Sequence, residues 1–550
     1  MDIENINEDV VNREEDGQLI RSPSSNFSEE PVVFSMLAFK KMLGMSAPLM
    51  LSHLTNMLGG FGNVYLFSRL SAKSLASAGL ITATQNLFVA SLGSSLFGAS
   101  VLMMEERNQR NSEPKNIGIL WRQIQLITLA YDIVAIPLFL TIEPILSNLG
   151  QDDTLLSHVQ NYFNYYGIGF VANLLSLGNQ QILLSHENTL PILLINIVNN
   201  LSNFGLGYLL ISKKNNWKES AVSIAYAISS SASVLLGSAY INLKYRQNKL
   251  LSFNLRPCLT NIRKLLQKGF PIGLQNGAEV IALWVSMLMA GYFGNANLTA
   301  AEIAGQYVYI LTVPGFALGQ VTMILSAQQY SRMNYSELVR VGIRAMLLSQ
   351  ILPACGMIFF LTVPRQLTQF FLTNNADADE ILQTTSRLLI INGVGQLFDG
   401  LRQTLTGALI GQGDNVYPMI TNISSMCFIG ILSSYLIGFL ANKEVDGIFA
   451  GRSICMFLAA LMLGIRWFRT TQFFISTPLQ QDDWVGSRAA LLDDTEGLMD
   501  AQQSISEINS ISATSSANFF PRVPLVRSHS FPDFQVESIK RNGPSLCPYI

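Results

Sequence analysis

Thr406-Gly-Ala-Leu-Ile-Gly-Gln-Gly-Asp-Asn-Val-Tyr-Pro418 and Gln181-Ile-Leu-Leu-Ser-His-Glu-Asn-Thr-Leu-Pro191 decide how this chain is read. Each closes an apolar run, passes through an acid, an asparagine and a proline, and starts another run. Glu187, Asn188 and Pro191 align with Asp414, Asn415 and Pro418 at one constant offset, and Pro48 pairs with Pro271 at nearly the same one. Chance likeness among apolar helices does not keep an offset across pairs so far apart. The chain reads as a tandem repeat of membrane crossings.

Outward from these two turns, apolar runs long enough to span a hydrocarbon core about 30 Å thick cover most of residues 42–470. About twelve can be separated, six per half, and an even number per half makes both halves enter from the same side. The expected fold is an all-α polytopic membrane protein, its two six-helix lobes related by a parallel pseudo-two-fold repeat. The lobes fall at 34–243 and 268–475, joined by a basic linker at 244–267. An acidic arm at 1–33 and a Ser-, Asp- and Gln-rich tail at 476–550 lack apolar periodicity and are expected to be disordered. Composition agrees. Charged residues make up 13% of the chain and apolar residues 49%, against about 25% charged in a soluble domain.

A net charge of -2 without a basic stripe gives no reason to expect nucleic acid. No Gly-rich phosphate loop, His-Glu-x-x-His pattern or nucleophile elbow is present, so neither an enzyme nor a cofactor is expected. Scattered cysteines lack the close pairing of a zinc site. Orientation follows from the loops. Lys244, Arg246, Lys249, Arg256, Arg263, Lys264 and Lys268 crowd the central linker without an acid among them, which places it, and with it both termini, in the cytoplasm. Arg69, Lys73 and Lys213, Lys214, Lys218 are exceptions on the opposite side. The expected setting is the plasma or inner membrane, with membrane lipid around a monomer.

An ionisable group inside a crossing costs about 2.5–3.5 kcal/mol at the helix centre and usually marks a pathway. Glu279 and Asp399 are the clearest cases. Glu279 lies roughly 16 Å beyond Lys268, and Asp399 roughly 18 Å from Gly411, at 1.5 Å per residue, so both reach the middle of the bilayer. Two carboxyls at one depth make a cation or proton site: Na⁺ held by their oxygens with Gln275 or Asn276, or a proton taken up by one of them. Gln275 and Glu279 share a helix face, as do Asp399 and Gln403. Arg402, three residues after Asp399, could instead neutralise it in a structural ion pair, or confer an anionic preference from the cavity. Gln396, Tyr307 and Asn63 are weaker candidates as ligands. Rings such as Tyr307 more often pack, and polar residues such as Asn63 more often glue helices together.

Gly407-Ala-Leu-Ile-Gly-Gln-Gly-Asp414, preceded by Gln396-Leu-Phe-Asp399, resembles the tenth crossing and following loop of the multidrug and toxic compound extrusion (MATE) family. Lys268-Gly-Phe-Pro271-Ile-Gly-Leu-Gln-Asn-Gly-Ala-Glu279 is similar to its seventh crossing, and Leu298-Thr-Ala-Ala-Glu-Ile-Ala to the turn into its eighth. The resemblance covers roughly residues 35–475. It implies antiport, in which an organic, often cationic, amphipathic compound leaves while Na⁺ or H⁺ enters. This chain departs from the family in having Asn63 where an aspartate is usual, and Gly395 where some members place a tyrosine. The alternatives are a lipid-linked precursor flippase, which would line its cavity with cations, and a non-transporting receptor or scaffold.

Overall fold

A computed structural model describes residues 36–108, 114–148, 153–212, 218–245, 258–369 and 378–476. The acidic arm, the tail, and Arg246, Lys249 and Arg256 of the linker lie outside the described residues.

Helices build the whole of the described chain's regular structure. The first half contains α1 (Met36–Ser68), α2 (Ala72–Phe88) continued through a π-helical turn into α3 (Phe97–Asn108), α4 (Pro114–Leu140), short α5 (Ile142–Asn148), α6 (Asp153–Ser185), α7 (Leu190–Ser212) and α8 (Ser220–Lys244). The second contains α9 (Leu259–Tyr292), α10 (Asn295–Ser331), α11 (Tyr335–Thr362), short α12 (Pro364–Gln369) and α13 (Ala378–Gly411). It ends with α14 (Val416–Ile423) and α15 (Ile431–Tyr435), joined by π-helical stretches into one crossing, and α16 (Glu444–Ser476). Taking each interrupted helix as one crossing gives six crossings per half.

Among the described residues, nine of the crossings contain a stretch long and apolar enough by itself to cross a membrane; α1, α6 and α13 do not. For α6 and α13 the packing fits. The fourth crossing α6 is enclosed by α8, α4, α2 and α3, and its counterpart α13 by α10, α16 and α11. Helices that face protein on most sides keep polar residues that lipid would reject.

The repeat is visible atom by atom at the two turns that opened the sequence. The amide of Asn188 reaches the carbonyl of Leu183 at 3.0 Å, and that of Asp414 reaches Leu409 at 3.0 Å. These are helix stops in which the residue before the donor is left-handed: Glu187 at φ 58° and Gly413 at φ 90°. Asn188 therefore matches Asp414, one residue off the acid-to-acid alignment, because the backbone pairs the left-handed positions rather than the carboxyls.

The two lobes share one apolar core at the end that carries Lys41, Arg107, Lys268 and Arg332. Met42, Leu49, Met103 and Leu183 of one lobe are buried there with Ile272, Leu318, Ile324 and Val341 of the other. At the opposite end the cores are separate, one around Phe139, Phe163 and Phe170, the other around Ala300, Leu388 and Phe449. Polar contacts between lobes gather at the joined end as well: Lys268 with Glu105, Arg332 with Asn108 at 3.2 Å, and Gln328 with Glu187 at 2.5 Å. A Cβ on Gly98 would come within 2.7 Å of the Gly269 backbone nitrogen, so glycine at both positions is what lets α3 and α9 touch.

Candidate functional site

Three elements of the second lobe converge on one guanidinium. α9 presents Gln275 and Glu279 one turn apart, α13 presents Asp399 and Arg402, and α14 presents Asn422. Arg402 Nη2 donates to Glu279 Oε1 at 2.9 Å. Its Nε donates to Asp399 Oδ1 at 2.8 Å, and Nη1 donates to Asn422 Oδ1 at 3.2 Å. The amide of Asn422 then donates to Gln275 Oε1 at 3.1 Å and Thr406 Oγ1 at 3.3 Å. The planar fork of arginine suits this role, because it can face two carboxylates and an amide at once.

Burial divides the two acids. Asp399 and Arg402 are 1% and 2% exposed, and Asn422 and Gln275 are buried beside them. The Glu279 side chain keeps 18% of its surface and lines a small cavity with Leu283, Ser286, Met426, Arg452 and Met456. Asp399 with Arg402 thus forms the fixed base of the site, and Glu279 its accessible face. Removing water from three charges is costly, and only mutual pairing with full hydrogen bonding offsets it.

The structure brings Glu279, Asp399, Gln275 and Arg402 into one network. The place between the carboxyls, where the sequence suggests a sodium ion or proton, is taken by Arg402. The other candidates lie elsewhere. Asn276 makes none of the network's hydrogen bonds. Gln403 turns away from Asp399 and lies over Gly315 and Gly319 of α10. Gln396 accepts from Thr312 at 3.0 Å. Tyr307 donates to the Leu367 carbonyl at 2.9 Å, and Asn63 accepts from Asn203 at 3.0 Å inside the first lobe.

Sequence reasoning missed three residues. Asn422 stitches α14 to both other helices. Arg452 of α16 is a second interior cation, in electrostatic reach of Asp399 and Glu279, and among the described residues it has no ion-pair partner. Asp132 of α4 is a buried acid in the first lobe. Arg452 and Asp132 are each a charge inside an apolar run, the same signal that singled out Glu279.

The MatE family profile matches residues 48–209 and again residues 271–436, one copy per lobe, starting at Pro48 and Pro271. The chain belongs to the MatE family. "Probable multidrug resistance protein NorM" of Rhizobium meliloti is 26% identical over 447 residues, covering 80% of this chain and 95% of its own length. The protein of the same name from Agrobacterium fabrum is 24% identical, covering 78% and 93%. A solved outward-facing MATE family transporter of the MOP superfamily superposes with a TM-score of 0.73 at 15% identity, covering 80% of this chain and 96% of its own. A MOP superfamily transporter from Pyrococcus furiosus, described as having a binding pocket of reverse polarity, gives 0.72 at 16%, covering 80% and 97%. MatE membership makes this chain a membrane transporter, not an enzyme, and the solved relatives share its two-lobe helical fold.

Proposed function

We propose that this chain is a secondary active multidrug exporter, taking organic cations out by alternating access in exchange for a coupling ion. The observation that carries this reading is a single guanidinium holding Glu279 and Asp399, with Glu279 open to a cavity whose other walls are largely apolar. An amphipathic ammonium compound could replace Arg402 at Glu279 while its hydrocarbon part packs on Leu283, Met426 and Met456. Relatives named for multidrug resistance support the multidrug part of this reading.

Of the two coupling ions, the geometry favours the proton. A sodium ion needs several oxygen ligands at once, and oxygens of Asp399, Asn422 and Glu279 at the site already accept from Arg402. A proton needs only one oxygen and releases the guanidinium from Glu279. The joined cores at the basic end, and separate ones opposite, support a state open to the exterior, with the basic end and both termini cytoplasmic in the cell membrane. Reconstituted protein tested for cation efflux under separately imposed proton and sodium gradients decides this. Efflux should follow the proton gradient, and dependence on neither gradient would overturn antiport.

Arg452 favours a second reading. With Arg402 it provides the cationic lining that a flippase of lipid-linked precursors would use. Binding of a diphosphate lipid, lost in Arg452→Gln, together with absence of cation efflux would select it.

A further inference from the structure

The first lobe lacks an acid in α1 but holds one in α4. Asp132 is 2% exposed, and neither carboxyl oxygen has a hydrogen-bond partner. It belongs to the inward stripe of α4 with Thr128, Ala135 and Phe139, while Leu129, Ile133 and Val134 point outward.

Its neighbours follow from helix register. Gly167 of α6 lies against Ile136 and Phe139, and Gly178 against Ile124 and Gln125. This antiparallel register sets Asp132 level with Val171, in a stretch of α6 without a titratable side chain. The tyrosines of α6 lie further along, where Tyr166 packs on Phe139. On the α2–α3 side, Phe88 meets Phe139 and Ser95 meets the Tyr131 hydroxyl at 3.1 Å, so Ser94 and Ser95 share its level. Their hydroxyls already donate to backbone carbonyls, Ser94 to Ala90 and Ser95 to Leu92, and Thr128 donates to Gln125. α9 approaches α4 at its other end, where Gln123 accepts from the Cys258 amide. Arg122 is ten residues away, roughly 15 Å along the helix.

An ionised carboxylate without a donor or counter-ion cannot be kept in such a place, because the lost hydration costs far more than any contact returns. A neutral acid can. We propose that Asp132 is a proton-binding site of the first lobe, held as the neutral acid in this conformation and emptied when the seam between α4 and α2–α3 admits water. The site is independent of the Glu279 network.

Infrared spectra of the full chain in lipid at neutral pH test this. A protonated-carboxyl C=O band should be present and be lost in Asp132→Asn. In proteoliposomes the same variant should lose one proton per substrate carried. Glu279→Gln should keep the Asp132 band even where transport is gone, which separates the two sites. Absence of the band means that the carboxyl is ionised and overturns the proposal. So does an unchanged proton-to-substrate ratio in Asp132→Asn, which would make the residue structural. Loss of the band on adding sodium at constant pH would assign an alkali cation instead, and overturns it too.

Discussion

The two lobes carry the same seam built from different chemistry. Four residues after the repeat-related prolines stand Ser52 and Gln275, and eight residues after them stand Asn56 and Glu279. Their partners correspond as well. Asn196, six residues into α7, donates to Ser52 at 2.6 Å, and Asn422, six residues into α14, donates to Gln275 at 3.1 Å. One turn further the lobes part. In the first, Asn200 donates to Asn56 at 2.8 Å. In the second, Met426 occupies the place of Asn200, and Glu279 turns to Arg402. The amide contact nearest each proline is scaffold kept by both copies, and the next contact is where one copy acquired charge. Neutral amides do not titrate and carry no charge to exchange for a cation, so proton-driven movement at this seam falls to the second lobe.

The sharpest way to break that comparison is to remove the shared cation. Arg402→Gln would strand the buried Asp399 and leave Glu279 unpaired at the cavity, and breaking a buried pair typically costs about 3–5 kcal/mol. Unfolding in detergent should show it, and adding Glu279→Gln with Asp399→Asn should recover most of it. A single variant as stable as wild type would mean that Arg452 neutralises the acids, and the ionic seam would be misassigned. Next comes Glu279→Gln, expected to abolish ion-coupled efflux with expression intact, whereas Asn56→Ala should keep it. Unchanged transport in Glu279→Gln takes that residue out of the mechanism. Smaller still is the paired test of the conserved scaffold contact. Asn422→Ala leaves Gln275 and Arg402 Nη1 short of partners, about 1–3 kcal/mol, while Asn196→Ala forfeits its bonds to Ser52 and Gln180, each membrane hydrogen bond contributing about 0.6–2 kcal/mol. Equal losses would say that the two seams bear the same strain.

How much of this could be read from sequence depended on which signal each residue leaves. Apolar length revealed the crossings, and the paired prolines revealed the repeat, because both are consequences of local chain chemistry. The depth of Glu279 and Asp399 could be counted along a helix from its charged end. Rotation about the helix axis could not. Gln403 shares a helical face with Asp399, yet it faces the glycines of α10 while Arg402 swings round to the acids. The equivalence of Glu187 with Gly413 was hidden for a related reason: a left-handed backbone position has no fixed side chain, so matching acids drew the alignment one residue away. Asn422 left no trace, since an asparagine in an apolar run reads as ordinary helix glue until its two neighbours are known.

The smallest expected effect concerns the ends of the lobes, where the contrast reverses. An acid beside the start of the sixth crossing of each lobe ties it to the fourth: Glu219 to His158 at 2.7 Å in the first lobe, Asp446 to Arg387 at 2.7 Å in the second. The second link is exposed and expected to contribute about 0–1 kcal/mol. Glu219 is buried and also accepts a hydrogen bond from Ser74. Burial pushes its carboxyl up, but the bonds from Ser74 and His158 outweigh burial and hold it below its ordinary value of 4.5. An acid lowered in the folded state stabilises that state fully above its unfolded value, and the contribution fades as pH falls through the folded one. The stability difference between wild type and Glu219→Gln should therefore shrink as pH falls below 4.5. Ser74→Ala removes one of the opposing bonds and should move that decline to higher pH. A difference that stays flat through the acid range would mean the carboxyl is already protonated, leaving the first lobe's outer link as insensitive to pH as its amide seam.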